Sequence, residues 1–449
     1  METDLTKGRL LPLMLRFSVP YLISCFLQTF YGLADLFIVG QYTEAATITA
    51  VSVGSQVMHM VTVVIVGLAT GTMIAISHSL GAGKKEEIAK IISSSILYFA
   101  VIAAAATFLL MLFVNGIMAL LLTPQEALAQ TRQYLLICFA GIPVITAYNV
   151  ISGIFRGLGD TRRPMYFVAA AGVINIVLDY LLIGRMGMGA AGAALATVAA
   201  QICSVLFALA AIRKKESGIR SGCQNLRWND LMQQKDTIRK IAGIGAPIAL
   251  QDGLIQISFL AITAIANDRG IDVAAAVGIV EKVISFMFLV PSAMLSTVSV
   301  TAAQNAGAGR HDRSRQALRW GVSICVIFGL AMFVLCQFLS PQIVSLFVNH
   351  EERVVQLGGQ YLRAYSLDCV FAGIHFCFSG CFTAYSKSVY SFIHNIISVA
   401  AVRIPGAYLA SAIFPATLYP MGLAAPMGSL LSAIICVIMF RLGRRYWGD

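Results

Sequence analysis

Long apolar segments follow one another along almost the whole chain, and this feature limits the fold more than any other. Backbone N–H and C=O groups find no water in lipid, so a membrane-crossing segment must satisfy them internally, as a helix does. Such a helix needs about 20 residues, and these segments are too long for barrel strands. We predict an all-α polytopic membrane protein with twelve transmembrane helices, near residues 15–39, 50–78, 91–114, 134–155, 164–183, 190–212, 241–266, 277–304, 318–339, 361–384, 389–414 and 421–441.

The composition agrees with this assignment and gives the chain an orientation. Only 12% of the residues are charged, compared with about 25% in soluble domains. Of the 32 Lys and Arg residues, 25 lie on the side of the membrane that also holds both termini, 6 lie on the other side, and Arg403 lies within a span. By the positive-inside rule, both termini are cytoplasmic. The net charge of +11 thus reflects orientation in a cell membrane, and we expect no nucleic-acid partner.

The second half of the chain repeats the first at an offset of 226–227 residues. Each half holds six spans, an even number, so both halves enter the membrane the same way round. We predict a parallel repeat with a pseudo-two-fold axis along the membrane normal: an N-terminal six-helix bundle at 1–212, a cytoplasmic linker at 213–240 and a C-terminal six-helix bundle at 241–449. The matching positions are Gly81-Ala82-Gly83 with Gly307-Ala308-Gly309, Gln133-Tyr134-Leu135 with Gln360-Tyr361-Leu362, Ser152-Gly153 with Ser379-Gly380, and Pro20 with Pro247.

A duplicated helical bundle favours a transporter that alternates access to a central cavity. A channel or receptor is a poorer match, because the largest loop, 213–240, is too short for a gating or ligand domain. The sequence carries no nucleotide-binding P-loop and no catalytic triad, so we expect neither ATP-driven transport nor an enzyme, and no cofactor. The expected partners are the lipid bilayer and small organic molecules, and we expect a functional monomer.

Two aspartates, Asp35 and Asp179, lie within apolar segments. A charge at the centre of a transmembrane helix costs on the order of 2.5–3.5 kcal/mol even on insertion scales, so these residues point to function. In the repeat they align with Ile262 and Gly406. A purely structural need would place acids in both halves. The asymmetry therefore indicates a functional site in the first half.

Other polar residues in the first-half spans can complete this site. Asn175 precedes Asp179 by one helical turn, on the same face. Carboxylate, amide and hydroxyl oxygens are hard donors that suit Na⁺ or H⁺, and burial beside a second carboxylate disfavours the charged form, which favours proton binding. We predict a site for the coupling cation, either Na⁺ or H⁺, formed by Asp35, Asn149, Asn175, Asp179 and Thr197. For Asn149 and Thr197 taken alone, hydrogen bonding between helices is an equal alternative.

Polar residues of the second half are candidates to line a cavity, namely Gln251, Asp252, His375 and Arg403. Arg403 fits a structural ion pair as well as it fits substrate binding. Pro20 lies inside the first span, where a proline kinks a helix or serves as its hinge.

Five segments together resemble the multidrug and toxic-compound extrusion (MATE) family, and the likeness runs nearly from end to end. They are LQTFYGLADLFIVGQ with Pro20 fifteen residues before Asp35, SHSLGAGKKEEIA, SGIFRGLGDTRRP, NIVLDYLLIGRMGMGAAGAALATVAAQ and TAAQNAGAGRHDRSRQA. The placement of the first-half polar residues is most similar to the DinF subfamily. One segment departs from the pattern: the tenth span ends in SGCFTAYSKS, without the glycine-rich turn of SGIFRGLGDTR.

The resemblance implies a secondary active antiporter that exports amphipathic, often cationic organic compounds in exchange for inward H⁺ or Na⁺. By matching position, it implies that the family's first-half cation site falls on Asp35, Asn149, Asn175, Asp179 and Thr197. It also implies that the first helix bends at Pro20. A flippase or exporter of a lipid-linked sugar or an endogenous metabolite, built on the same scaffold, is the alternative function.

Overall fold

The structure is a computed structural model that describes residues 4–121, 123–213, 234–348 and 351–443. Within these ranges it contains helices and turns and no strand. Residues 214–233 of the predicted linker lie outside the described part. The helices are α1 (Leu10–Tyr42), α2 (Ala45–Gly81), α3 (Lys85–Leu112), α4 (Val114–Leu120), α5 (Gln125–Ala140), α6 (Ile142–Gly157), α7 (Arg162–Asp179), α8 (Gly189–Arg213), α9 (Lys235–Asp268), α10 (Ile271–Met287), α11 (Leu289–Gly307), α12 (His311–Ser345), α13 (Glu352–Tyr365), α14 (Asp368–Ala384), α15 (Ser388–Ser398), α16 (Ile404–Ile413) and α17 (Tyr419–Leu442).

The described helices account for twelve membrane spans. Ten spans are runs of helix that are long and apolar enough to cross a membrane. The other two are the fourth and tenth spans, in which α5 meets α6 at 48° and α13 meets α14 at 41°. Two π-helical segments continue α7 and α15, at Tyr180–Arg185 and Val399–Arg403. The predicted all-α membrane fold is therefore confirmed.

The bend in the fourth span follows from its sequence. Pro143 lies in the first turn of α6, where a proline lacks the N–H that would bond to the preceding turn and its ring collides with a carbonyl of that turn. Helix α5 accordingly ends at Ala140 and α6 begins at Ile142. The tenth span bends at the matching place in the repeat, between Tyr365 and Asp368, although no proline is present there.

The repeat is also visible in the turns that follow the second and fourth spans of each half. Gly83 and its counterpart Gly309 both adopt the left-handed backbone conformation, with φ of 73° and 70°. The same is true of Gly159, with φ of 82°, and of its counterpart Ser386, with φ of 58°. The tenth span lacks the glycine-rich sequence of the fourth, but the turn that follows it keeps the left-handed residue. Ser386 adopts there the conformation that favours glycine.

Contacts divide the chain into two compact units. Unit 1 contains the described residues of 19–245, and unit 2 contains 4–18 and the described residues of 246–449. The sequence predicts bundle boundaries between spans, at 1–212 and 241–449. The contacts instead divide the chain within α1 and within α9. Each division falls close to the proline of its helix, Pro20 or Pro247.

The first turns of α9 pack on α2 within unit 1. A Cβ built on Gly71 would lie 2.2 Å from the carbonyl oxygen of Ile241, and one on Gly245 would lie 2.4 Å from that of Leu68. The two helix backbones thus touch where their glycines face each other. Close helix contact of this kind is the usual role of small residues in membrane proteins.

Hydrogen bonds at Leu5 and Thr6 join the N-terminal segment to the rest of unit 2. The backbone N–H of Leu5 donates to Oε1 of Gln304 at 3.2 Å, and Nη1 of Arg310 donates to the carbonyl oxygen of Thr6 at 2.7 Å. These bonds join residues about 300 positions apart in the sequence. They account for the membership of residues 4–18 in unit 2.

Candidate cation site

The two intramembrane aspartates both lie in the interior of unit 1. Asp35 is in the last third of α1 and is 7% exposed, and Asp179 is the last residue of α7 and is fully buried. The two carboxylates are close enough to interact electrostatically. Asn175, one turn before Asp179 on α7, is 2% exposed. The structure thus brings together three of the five residues predicted for the cation site.

Contact between an aromatic ring and a glycine positions these residues. Tyr31 of α1 packs against Gly172 of α7, where an added Cβ would lie 3.5 Å from the ring. Since residues three to four apart share a helix face, the next turn of α1 carries Asp35 and the next turn of α7 carries Asn175. The contact therefore places the two polar groups one turn further along the same pair of helix faces.

The polar atoms of this cluster lack partners. Oδ1 of Asp35, both carboxylate oxygens of Asp179 and both amide atoms of Asn175 are buried and make no hydrogen bond within the described part of the chain. Among the described residues, neither aspartate has a basic side chain within salt-bridge distance. A buried polar group without a partner is costly. The cluster therefore has the free oxygens, and the uncompensated negative charge, that binding a proton or a monovalent cation would satisfy.

The side chains of Asn149 and Thr197 each donate a hydrogen bond to a backbone carbonyl of their own helix. Nδ2 of Asn149 donates to the carbonyl oxygen of Ile145 at 2.8 Å, and Oγ1 of Thr197 donates to that of Ala193 at 3.0 Å. No hydrogen bond in the described part of the chain joins either side chain to the aspartates or to Asn175.

A tyrosine that sequence reasoning did not select belongs to the same cluster. Tyr134 of α5 is 2% exposed and interacts electrostatically with both Asp35 and Asp179. Its ring lies over Gly54 of α2, where an added Cβ would be only 2.2 Å away. Tyr134 was visible in the sequence as part of the repeated Gln133-Tyr134-Leu135, but this repetition pointed to a structural role.

The helix that carries Asp179 changes geometry directly after it. The chain continues as the π-helical segment Tyr180–Arg185, and π-helical turns are often found at functional sites. Tyr180 contacts Tyr42 edge-on, with the ring centroids 6.0 Å apart. The end of α1 is thereby held against the segment that follows the buried carboxylate.

The four second-half candidates fall into two pairs, all within unit 2. His375 and Arg403 line one small cavity together with Asp368. Gln251 and Asp252 lie on α9 and are not part of that lining; Gln251 is buried and Asp252 is half-buried. Among the described residues, no group of three or more His, Cys, Asp or Glu side chains is arranged to hold a metal ion.

Both halves of the chain match one family model, described as MatE, over residues 20–181 and 247–409. The two matches begin 227 residues apart, the offset at which the sequence repeats. Because the same model fits both parts, the internal duplication does not depend on the few motifs that are visible by eye.

Several curated proteins are similar over nearly the whole chain. The probable multidrug resistance protein YpnP of Bacillus subtilis is 29% identical, covering 98% of this chain and 97% of its own length. An FAD transporter of Shewanella oneidensis is 25% identical, with coverage of 94% and 92%. The multidrug export protein MepA of Staphylococcus aureus is 25% identical, with coverage of 95% and 91%.

Solved structures share the fold. A MATE crystal structure in the straight conformation superposes with a TM-score of 0.90, covering 99% of this chain and 98% of the other, at 21% identity. An outward-facing multidrug resistance MATE transporter of the MOP superfamily gives the same score and coverage. At this level of identity the likeness establishes the fold alone.

Proposed function

Because the chain belongs to the MATE family of transporters, we propose that it exports amphipathic, often cationic organic compounds in exchange for inward H⁺ or Na⁺. The relatives named as multidrug resistance and export proteins support the cargo class. The pattern of Lys and Arg residues supports a place in the cell membrane with both termini in the cytoplasm. We further propose that it works as a monomer, without a cofactor and without catalysis.

One observation supports the coupling above all others. Asp35, Asp179 and Asn175 present buried oxygens that have no hydrogen-bond partner and face no basic residue in the described ranges. Two buried carboxylates that interact repel each other when both are charged. A proton or Na⁺ at this cluster removes the repulsion and supplies the missing partner.

The coupling ion then controls which state of the transporter is stable. The cluster lies where α1 meets α7, and α1 is also the helix that the contacts divide between the two units near Pro20. A proline inside a helix weakens its hydrogen bonding and permits bending. We propose that loading the cluster changes the packing of the Asp35 end of α1, and that this change accompanies alternating access by a rocker-switch motion.

The test is transport by the purified protein in proteoliposomes. Uptake or release of a fluorescent cationic dye is followed with a pH gradient or a Na⁺ gradient imposed separately, which also identifies the coupling ion. We expect Asp35→Asn and Asp179→Asn each to abolish dye-dependent cation flux while the protein stays folded. Asp312→Asn is the matched control, because it removes the same charge from an exposed carboxylate paired with Arg315. Wild-type rates in both site variants would refute the proposal.

A further inference from the structure

A small cavity lies within unit 2, bordered by charged and aromatic side chains. Its volume is about 60 Å³, and its walls include Phe259, Asp368, His375 and Arg403. Since about 10–15 Å³ of such volume holds one water molecule, the space admits a small polar group such as a carboxylate. Its chemistry differs from that of the acidic cluster in unit 1, because a guanidinium lines it.

Arg403 brings a positive charge to this cavity without a direct counter-ion. Its guanidinium carbon lies 4.6 Å from the centre of the Phe259 ring, and Nη2 donates to the hydroxyl of Tyr365 at 2.9 Å. Nε is buried and has no hydrogen-bond partner among the residues that the structure describes. No carboxylate among the described residues comes within 4.0 Å of the guanidinium. An N–H of a guanidinium donates strongly to an oxyanion, so the unused donor is available to a bound carboxylate.

Asp368 lines the same cavity. It is 1% exposed, and its carboxylate interacts electrostatically with Arg403 and lies near the hydroxyls of Tyr365 and Ser429. The Tyr365 hydroxyl accepts a hydrogen bond from Arg403 and thus lies near both charged groups. Oδ1 of Asp368 is left without a partner.

His375 adds a third unsatisfied group to the wall. It is 4% exposed and its Nδ1 has no partner. The neighbouring His394, with its ring centroid 5.5 Å away, is fully engaged instead, because its Nε2 and Nδ1 bond to Ser379 at 2.9 Å and to Ser432 at 3.2 Å. The cavity thus holds unused polar atoms on three of its residues, two of which are more than nine-tenths buried.

The position of Arg403 corresponds to that of the acidic cluster in the other half. Both residues lie on the fifth span of their half, Asp179 directly before one π-helical segment and Arg403 at the end of the other. At an offset of 227, Arg403 aligns with Ile176, between Asn175 and Asp179. The duplicated helix therefore carries a buried acid in one half and a base in the other.

We propose that this cavity binds the carboxylate of a transported molecule, with Arg403 as the group that recognises it. The proposal deepens the proposed export function and rests on it. A carboxylate fits the volume and the fork of the guanidinium, while the remainder of the cargo lies outside the cavity. The exporter would therefore accept zwitterionic compounds, whose cationic part suits the cargo class already proposed.

Binding is tested first, on the full chain in detergent, with acetate as the probe and acetamide as its uncharged counterpart. We expect acetate, but not acetamide, to raise the thermal unfolding midpoint of the wild type. Arg403→Gln should weaken acetate binding by about tenfold or more, as expected from the loss of one charge-assisted hydrogen bond. Arg315→Gln, which removes the same charge from a surface ion pair, should leave it unchanged. Equal acetate binding by Arg403→Gln and wild type would overturn the proposal.

Two further variants keep this test decisive if Arg403→Gln does not fold. Arg403→Lys retains the charge but loses the fork, so we expect weaker acetate binding. Asp368→Asn removes a negative charge that repels acetate from the same wall, so we expect tighter acetate binding. Weaker binding in Asp368→Asn would show that these residues only support the fold, and would overturn the proposal.

A transport assay distinguishes a site that binds the carboxylate of a cargo from one that binds only free carboxylate ions. Rhodamine 110 carries a free carboxylate and rhodamine 123 is its methyl ester, so the pair differs at the group in question. We expect Arg403→Gln to lose export of rhodamine 110 and to keep export of rhodamine 123. Equal loss of export of both dyes would overturn the cargo assignment. Unchanged export of both dyes by a variant with weakened acetate binding would also overturn it. If wild type exports neither dye, the export function fails, and acetate binding still decides the site.

Discussion

Gly54 of α2 lies under the ring of Tyr134, so close that a Cβ on the glycine would be 2.2 Å from Cδ1 of the tyrosine. The contact fixes the position of a tyrosine that interacts electrostatically with both intramembrane carboxylates. The packing of α2 against α5 and the electrostatics of the cation cluster therefore depend on the same tyrosine.

Gly54→Ala is expected to destabilise the protein, because Tyr134 cannot stay in place beside the added methyl group. Overpacking of this kind costs about 1–3 kcal/mol. Gly40→Ala on α1 is the matched control, since a Cβ there meets no atom within 4 Å and alanine favours a helix over glycine. Thermal unfolding in detergent should show a lower midpoint for Gly54→Ala only. An unchanged midpoint in both variants would contradict the contact.

Asn175 and Thr197 are expected to differ in their effect on transport, although both were predicted for the cation site. The amide of Asn175 is buried beside Asp179 without a partner, whereas the Thr197 hydroxyl donates to its own helix. Asn175→Ala should lower the affinity for the coupling ion by about tenfold, roughly the value of one hydrogen bond to a charged group. Thr197→Val should change it less than about twofold, because that hydroxyl already donates to a carbonyl of its own helix. Ion dependence of dye flux in proteoliposomes measures both.

Removing both carboxylates is expected to cause no more loss of ion affinity than removing one. Asp35 and Asp179 interact, and residues that act on one ligand as a unit show strongly non-additive effects. The Asp35→Asn, Asp179→Asn double variant should therefore match the single variants in affinity for the coupling ion, measured by binding to the purified protein. Additive losses of affinity across the cycle would mean that the carboxylates bind separate ions, and wild-type affinity in either single variant would assign ion binding to the other aspartate.

The sequence was sufficient for the architecture because membrane length and periodic apolar segments determine it. The same reasoning selected Asp35, Asp179 and Asn175, because a buried charge is visible as an anomaly in an apolar segment. The same reasoning did not select Tyr134, because a tyrosine in a transmembrane helix is not anomalous and its role depends on which helices pack together. The division of α1 and α9 between two units also depends on tertiary contacts, such as Gly71 with Ile241, which no local pattern records.

Gly245→Ala is expected to loosen the start of α9 from α2. A Cβ on Gly245 would lie 2.4 Å from the backbone oxygen of Leu68, whereas one on Gly243, two residues earlier, meets no atom within 4 Å. A backbone oxygen cannot rotate away as a side chain can, so we expect a loss of about 1–3 kcal/mol for Gly245→Ala and none for Gly243→Ala. Unfolding midpoints of the two variants provide the comparison, and equal midpoints would argue against the packing.

Ser386 offers a substitution that should stabilise the protein. Its N–H donates to the Thr383 carbonyl oxygen at 2.9 Å, and the matching bond in the first half runs from Gly159 to Arg156 at 2.9 Å. The turns are thus alike, but a non-glycine residue in the left-handed conformation costs about 1–2 kcal/mol. Ser386→Gly should raise the unfolding midpoint, although glycine also loses more entropy on folding and offsets part of the gain. The reciprocal variant Gly159→Ser should lower the midpoint, and a change of the same sign in both would refute the conformational explanation.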